Sequence, residues 1–402
     1  MGPRGAAFSG SAPLGSGRSH RIAMLLENER YPQDTRVRHE AESLVAAGHR
    51  VTVIAPRGQE QARVETIDGV IARRYRLPVA SGGLRELLIE YAVAHVQLFA
   101  RGLRELFAGA TVVHLHNPPD TLFPLGLVAR ALGRRVVFDH HDLAPELFRQ
   151  KFGPSRLEAV LSAAELASLR SADAVIVTNH SARERALARG VSPARVAVVR
   201  NGPRAATLSH SVDQRPGALR DPRLLFVGEL EPQDGVMAFP RILSLLRDEH
   251  GLGEARLTVI GDGSCRAPLE RALAAAGLAD RVRFTGWVAH RLVPGLLAEG
   301  DICVDPAICD EKNHRSTATK TAEYLGAGRP AVSYDVVETR RTAEDAAAYA
   351  PCHDERGFAA LIAELAGDPE RRRDLGERAL ARASELVWEH SETALVSSYA
   401  RL

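Results

Sequence analysis

Short runs of β-branched and aliphatic residues alternate along the chain with longer segments whose apolar positions recur at helical spacing. The first series of runs is RIAMLLE (21–27), RVTVIA (50–55), TVVHLH (111–116), RRVVFD (134–139), DAVIVT (173–178) and RVAVVR (195–200). A second series begins at RLLFVG (223–228) and continues through RLTVIG (256–261), RVRFTG (281–286), DICVDP (301–306) and RPAVSY (329–334). Nearly continuous apolar runs joined by amphipathic helices predict parallel strands covered by helices. Between the two series lies NGPRAATLSHSVDQRPGALRDP (201–222), which has Pro, Gly and Ser and no clear period. It predicts a linker. The whole pattern predicts an α/β protein of two doubly wound, Rossmann-like domains facing each other across a cleft, with ligands at the carboxyl ends of the strands.

Length supports two domains, because 402 residues exceed what one hydrophobic core usually serves. The first twenty residues are rich in Gly, Ser, Ala and Pro, without the apolar core of a signal peptide, and read as a disordered leader. No run of about 18 apolar residues occurs, so no membrane span is expected. The segment 84–107 interleaves both signs of charge among its apolar residues and predicts a packed domain helix. A net charge of +2 with interspersed signs does not suggest nucleic acid as a partner. The cysteines, Cys265, Cys303, Cys309 and Cys352, lack metal-ligand pairing and predict reduced thiols in a cytoplasmic setting.

Candidate chemistry lies where the fold would put it. HLHNPPD (114–120) and DHHDLAPEL (139–147) each follow a predicted strand and pack His, Asp and Pro into a short loop. Satisfied structural histidines and a zinc site are two readings. Without a tight ligand spacing, a polar pocket for an uncharged, hydroxyl-rich ligand fits better. Of 52 lysines and arginines only three are lysine: Lys151, Lys312 and Lys320. The last stands in HRSTATKTAEYLGAGRP (314–330), before a glutamate and a Gly-Ala-Gly turn.

From about residue 21 onwards the chain resembles the family-4 retaining glycosyltransferases of the GT-B fold. The resemblance is carried by DTRVRHEAESLVAAGHRVTVIAPR (34–57), VTNHSARERALARG, VVRNGP, VIGDGS, FTGWV and KTAEYLGAGRPAV, and more narrowly by HNPPD, FDHHDL, QDGV and STATKTAEYL. WEHSETALVSSYARL (388–402) resembles the family's last helix, which crosses back onto the first domain. The implied domains are 21–204 with 388–402, binding the acceptor, and 205–387, binding the nucleotide sugar.

The implied activity is metal-independent hexosyl transfer, with retention, from a UDP- or GDP-linked sugar to a small-molecule natural-product or saccharide acceptor. Alternatives are a non-catalytic sugar-nucleotide-binding relative and a transferase acting on a lipid-linked polysaccharide precursor. No cofactor and no metal are expected. The expected partners are the donor and the acceptor, with peripheral membrane contact open.

The resemblance also implies site residues. His116 would lie beside the donor sugar. Gly228, Gly235, Gly263, Trp287, Val288, Ser316, Thr317 and Glu323 would bind the donor, with Glu323 on the ribose. Asp34, Arg36, Asn117, Asp120 and Asp142 would line the acceptor side. Two departures stand out. Glu229 and Asp234 occupy the positions where many members carry an Arg and a Lys that clamp the diphosphate, and Arg315 replaces the first glutamate of the Glu-x7-Glu element. Lys320, with Arg315 and the Ser316–Thr317 amides, is therefore expected to supply the missing positive charge at a helix N-terminus.

Overall fold

The computed structural model describes residues 18–77, 84–209, 212 and 214–402. Most of the expected leader, residues 1–17, lies outside the described residues. Contacts divide the chain into two units, Met1–Val199 with Glu392–Leu402, and Arg200–Ser391.

Among the described residues the first unit holds eight strands: β1 (Arg21–Leu25), β2 (Arg50–Pro56), β3 (Val64–Ile67), β4 (Val70–Tyr75), β5 (Val112–His116), β6 (Arg135–His140), β7 (Ala174–Val177) and β8 (Val196–Val198). Their spatial order is β3-β4-β2-β1-β5-β6-β7-β8, parallel except for the β3–β4 pair. Every residue of β5 and β7 is buried, as expected where helices cover both faces of a parallel sheet. Leu25, Val113, Leu115, Phe138 and Val175 form the heart of one apolar cluster. The β3–β4 hairpin was not among the predicted strands. Its turn, Asp68-Gly69, has φ of 49° and 82°, the left-handed pair that a two-residue hairpin turn demands and that an Asp-Gly pair supplies.

The second unit holds β9 (Arg223–Val227), β10 (Arg256–Ile260), β11 (Val282–Gly286), β12 (Ile302–Asp305), β13 (Ala331–Tyr334) and β14 (Ala348–Ala350), in the order β11-β10-β9-β12-β13-β14. All pairings are parallel. The edge strand β14 escaped the sequence reading because its three residues, AYA, are too short and too poor in β-branched side chains to stand out. Phe226, Val259, Val304, Val332 and Phe358 lie in the core of this unit.

The helix Trp388–Tyr399 begins in the second unit, where Trp388 N–H donates to Pro203 O at 2.9 Å, and ends in the first. There Tyr399 Oη lies 2.8 Å from His114 Nδ1. One expectation is corrected: Cys309 and Cys352 are not free thiols but a disulfide, with Cα atoms 5.8 Å apart. Their reading as reduced failed because the strands between them bring together residues 43 positions apart. Cys265 and Cys303 are free and buried. Among the described residues no helix is long and apolar enough to cross a membrane.

Candidate functional site

In the second unit, glycines line the turns at the carboxyl ends of β9 and β10. Gly228 has φ of +146°, and a Cβ there would lie 3.1 Å from Lys320 Cε and 3.3 Å from Lys320 Nζ. At Gly235 a Cβ would meet Pro306 O at 1.8 Å, and at Gly263 it would meet Leu230 O at 2.6 Å. These three positions admit no side chain, so the backbone there is bare and closely approached.

Lys320 opens the helix Thr319–Gly326, whose N-cap residue, Ala318, offers no side-chain cap. The lysine is buried, and its Nζ donates to Asp234 Oδ1 at 2.6 Å, lies 3.4 Å from Asp305 Oδ1 and sits 4.4 Å from the centre of the Phe226 ring. Burial alone would lower its pKa, but Asp305 and Asp234 outweigh it and raise it, so the ammonium stays charged. Burial pushes the Asp234 carboxyl up against the pull of Lys320. Glu229 is also raised, by burial first and then by Asp234, while Lys312 and Lys320 pull it down. Two of the chain's three lysines thus act on the two acidic positions that replace the expected clamp.

Other donor-side expectations are met differently. Arg315 is not gathered against Lys320; its guanidinium pairs with Glu311 at 3.2 Å, with two-fifths of the side chain exposed. Ser316 N–H is not available for an anion, because it donates to Lys312 O at 2.9 Å. Thr317 is half-buried beside it. Both corrections have one cause: residues 310–316 coil into turns closed by Asp310 and Lys312 carbonyls, which consume amides that a loop would leave open. Glu323 Oε1 is 2.9 Å from His290 Nε2. Trp287 is exposed and Val288 half-buried at the end of β11.

In the first unit, Asp139 at the end of β6 is the centre of a buried network. Its Oδ1 accepts from Arg36 Nη2 at 2.6 Å, and its Oδ2 accepts from Arg36 Nε at 2.7 Å and lies 3.0 Å from both His116 Nδ1 and His141 Nδ1. Burial would raise the Asp139 carboxyl, but Arg36 and His141 hold it well below the usual range. Burial would lower His141, but Asp139 raises it to about 9.

Asn117 knits the next loop. Its Nδ2 donates to Asp120 Oδ1 and to Asp142 O, while its Oδ1 accepts from the backbone N–H of His141 and of Asp142. Asp120 is buried, and burial foremost pushes it up to about 6.

Several expected site residues are engaged within the protein. His116, expected beside the donor sugar, exposes no surface; its Nδ1 lies 3.0 Å from Asp139 Oδ2 and its Nε2 4.0 Å from Glu40 Oε2. Arg36 is consumed by Asp139, Glu40 and the Val199 carbonyl. Asp34 caps the helix Thr35–Ala46 by accepting from Val37 N–H at 2.9 Å. His116 ends β5 and Arg36 lies in the first turn of the helix Thr35–Ala46, both buried, while Asp34 is half-buried at that helix's cap. Asp142 is half-buried and does reach the surface. Missed by the sequence reading are Asp139, Glu40 and Glu27. Glu27 follows β1, is 4% exposed, and is pushed up to about 7 by burial and by Glu90. A carboxylate just past a buried strand was the signal available for Glu27.

Residues 33–202 match the model of a glycosyl transferase 4-like domain, and residues 221–368 that of glycosyl transferases group 1. Among curated relatives, the chain is 27% identical over 168 residues to an α-D-kanosaminyltransferase of Streptomyces kanamyceticus, covering 41% of this chain and 42% of that one. It is 34% identical over 158 residues to a lipopolysaccharide core biosynthesis glycosyltransferase of Rhizobium meliloti, covering 39% and 43%. The match spans less than half the length of these relatives. Among solved structures, the Anabaena protein HepE in complex with UDP-glucose superposes with a TM-score of 0.71 at 15% identity, over 95% of this chain and 100% of that one. The order of the two matched domains, each on its own parallel sheet, places the chain in the GT-B glycosyltransferases of the family-4 type.

Proposed function

We propose that the protein is a retaining glycosyltransferase that moves a hexose from a nucleotide diphosphate sugar to a small-molecule or saccharide acceptor, without a divalent metal at the diphosphate. The observation that carries this reading is the buried, charged Lys320 at an uncapped helix start, standing against the Gly228 turn at the carboxyl end of β9. An ammonium at a helix N-terminus suits a diphosphate. An ammonium has three N–H donors. Asp234 takes one and Asp305 lies toward another, so both aim the lysine while the third meets a phosphate oxygen. Charge that grows on the leaving diphosphate as the glycosidic bond breaks is then met by a preorganised cation. Glu323 serves the ribose, and Asn117, Asp120 and Asp142 shape the acceptor loop. HepE was solved with UDP-glucose, which supports trying UDP sugars first.

The test is turnover of labelled UDP- and GDP-sugars against saccharide and aminocyclitol acceptors, with the anomeric configuration of the product read by NMR. Inversion would refute the retaining mechanism, and a requirement for added magnesium or manganese would refute the account of the diphosphate. A second reading is favoured by the ion pairs of Lys320 with two aspartates: a protein that binds the sugar nucleotide without turning it over. Donor binding with no transfer to any acceptor would establish that reading instead.

A further inference from the structure

We propose that Glu27, Glu90, Asp120 and Asp142 form an acidic pocket that selects an acceptor carrying protonated amino groups, an amino sugar or aminocyclitol, over its neutral counterpart. The inference rests on the transferase reading above and names the acceptor class for it.

The sheet brings these groups together. β1 and β5 are parallel neighbours, with Leu25 opposite Leu115. Two residues further on, Glu27 leaves β1 beside the point where Asn117 leaves β5, so the glutamate stands at the root of the Asn117 loop. Asn117 Nδ2 in turn holds Asp120 Oδ1 at 3.1 Å and the Asp142 carbonyl at 2.7 Å. The helix Leu84–Phe107 packs against β1 and carries Glu90 and Tyr91 to the same place. The Tyr91 hydroxyl marks the centre: after burial, it is Glu27, Asp120, Glu90 and Asp142 that push its pKa up.

Glu27 is the group that points to a ligand. It is 4% exposed, and among the described residues neither a hydrogen-bond donor nor a cation stands against it. Burial first and Glu90 second push it up to about 7, and nothing pulls it back. Asp120 repeats the pattern, for its Oδ2 is sealed from water without a hydrogen-bond partner. Burial foremost raises it to about 6, with only His140 and the Asn117 amide pulling the other way. Arg101, further along the helix of Glu90, lies over the Tyr75 ring at 5.6 Å and donates to the Gln97 carbonyl at 3.2 Å.

Buried carboxyls without a counter-charge are costly when ionised and hold their protons instead. An ammonium entering among them favours the ionised form and makes charge-assisted hydrogen bonds, the stronger kind. A hydroxyl at the same ring position brings one donor and no charge. A single metal ion does not fit: among the described residues no three of these carboxylates bring ligand atoms within 4.8 Å of one another. Carboxylates spread in this way suit a rigid ring with amino groups on different carbons. Glu90 and Asp142, both half-buried, form its open side.

The test reads acceptor binding by calorimetry on the full-length protein without donor, so its outcome does not depend on turnover. The probes are isosteric pairs, streptamine against scyllo-inositol and D-glucosamine against D-glucose. Each amine should bind about tenfold tighter or more than its neutral partner at neutral pH. Glu27→Gln should weaken the amines by about tenfold or more and move the neutral probes less than about twofold, whereas a merely structural role would weaken both alike. Equal affinity for amine and neutral probe, an amine preference that survives Glu27→Gln, or no binding of either amine would overturn the proposal. If Glu27→Gln fails to fold, Glu90→Gln on the half-buried side carries the same test. Transfer to neutral acceptors without an amine preference would leave the transferase reading standing and sink this one, and amine binding without any transfer would do the reverse.

Discussion

Lys320 Nζ and Asp234 Oδ1 are 2.6 Å apart although 86 residues separate them in sequence. An ammonium thus stands against the edge of Gly228 even though position 234 is acidic, the charge having moved from the turn after β9 to the helix after β12. Lys320→Ala should lower kcat by roughly 10²–10³, equivalent to about 3–4 kcal/mol of transition-state stabilisation. Removing one partner of a buried pair also destabilises, so Tm must be measured beside kcat. Lys320→Arg should rescue poorly, because the Gly228 backbone and the Phe226 ring leave no room for a planar guanidinium. Steady-state kinetics with saturating donor checks this; full kcat in Lys320→Arg would show that any cation serves there and that the lysine itself is not required.

Among the described residues, eleven of the fourteen strands were legible because parallel strands buried on both faces are written as apolar runs. The hairpin Val64–Tyr75 was hidden by Glu65 and its two arginines, although Asp68-Gly69 announced its turn. Lys320 stood out in sequence as a rare lysine, yet its partner Asp305 lies at the end of β12, and only the parallel packing of β12 beside β9 shows that they meet. The same holds for Arg36 and Asp139, 103 residues apart. Such pairings are set by the order of strands in a sheet, which one sequence does not spell out. His116 was singled out as a histidine beside the donor sugar, but that its second nitrogen faces Glu40, on another element, is not written in its own strand.

The Cys309–Cys352 disulfide ties the loop ahead of Lys320 to the end of β14. Closing a loop of 43 residues stabilises by about 2–4 kcal/mol through the unfolded chain. Reduction with dithiothreitol should therefore lower the Tm of the wild type by several degrees and leave Cys352→Ser unmoved. An equal Tm with and without reductant would show that the bond contributes nothing in solution.

Acid should weaken the first unit at Glu165. This buried carboxylate accepts from Arg185 Nε at 2.6 Å and Nη2 at 2.9 Å and lies 3.0 Å from His140 Nε2. Burial would raise it, but His140 and Arg185 outweigh burial and bring it down to about 2 from 4.5. The unfolded chain therefore binds more protons between those values. The stabilisation is fully present above pH 4.5 and is lost as pH falls toward 2, on the order of 2–3 kcal/mol in all. Urea unfolding at a series of pH values should show this slope in the wild type. Glu165→Gln should be less stable at neutral pH and flatter below pH 4.5, and an unchanged slope would assign the acid sensitivity elsewhere.

Asn117 offers the sharpest test of a division between donor and acceptor. Its amide holds Asp120 at 3.1 Å and the Asp142 carbonyl at 2.7 Å, and its oxygen receives the His141 and Asp142 amides at 2.8 and 3.0 Å. Asn117→Asp keeps the acceptor for both backbone N–H groups but removes the donor and sets a second carboxylate beside Asp120. The backbone around β6 should survive while the Asp120 and Asp142 ends of the loop move apart. Because these residues belong to the first unit and the glycine turns to the second, the acceptor KM should rise about tenfold or more, in line with the ~1–3 kcal/mol of an unmet buried hydrogen bond. Donor affinity, read by calorimetry in the absence of acceptor, should stay within a factor of two. Equal weakening of both would mean that the Asn117 loop serves the donor as well, and the acceptor would then have to be sought on other residues of the first unit.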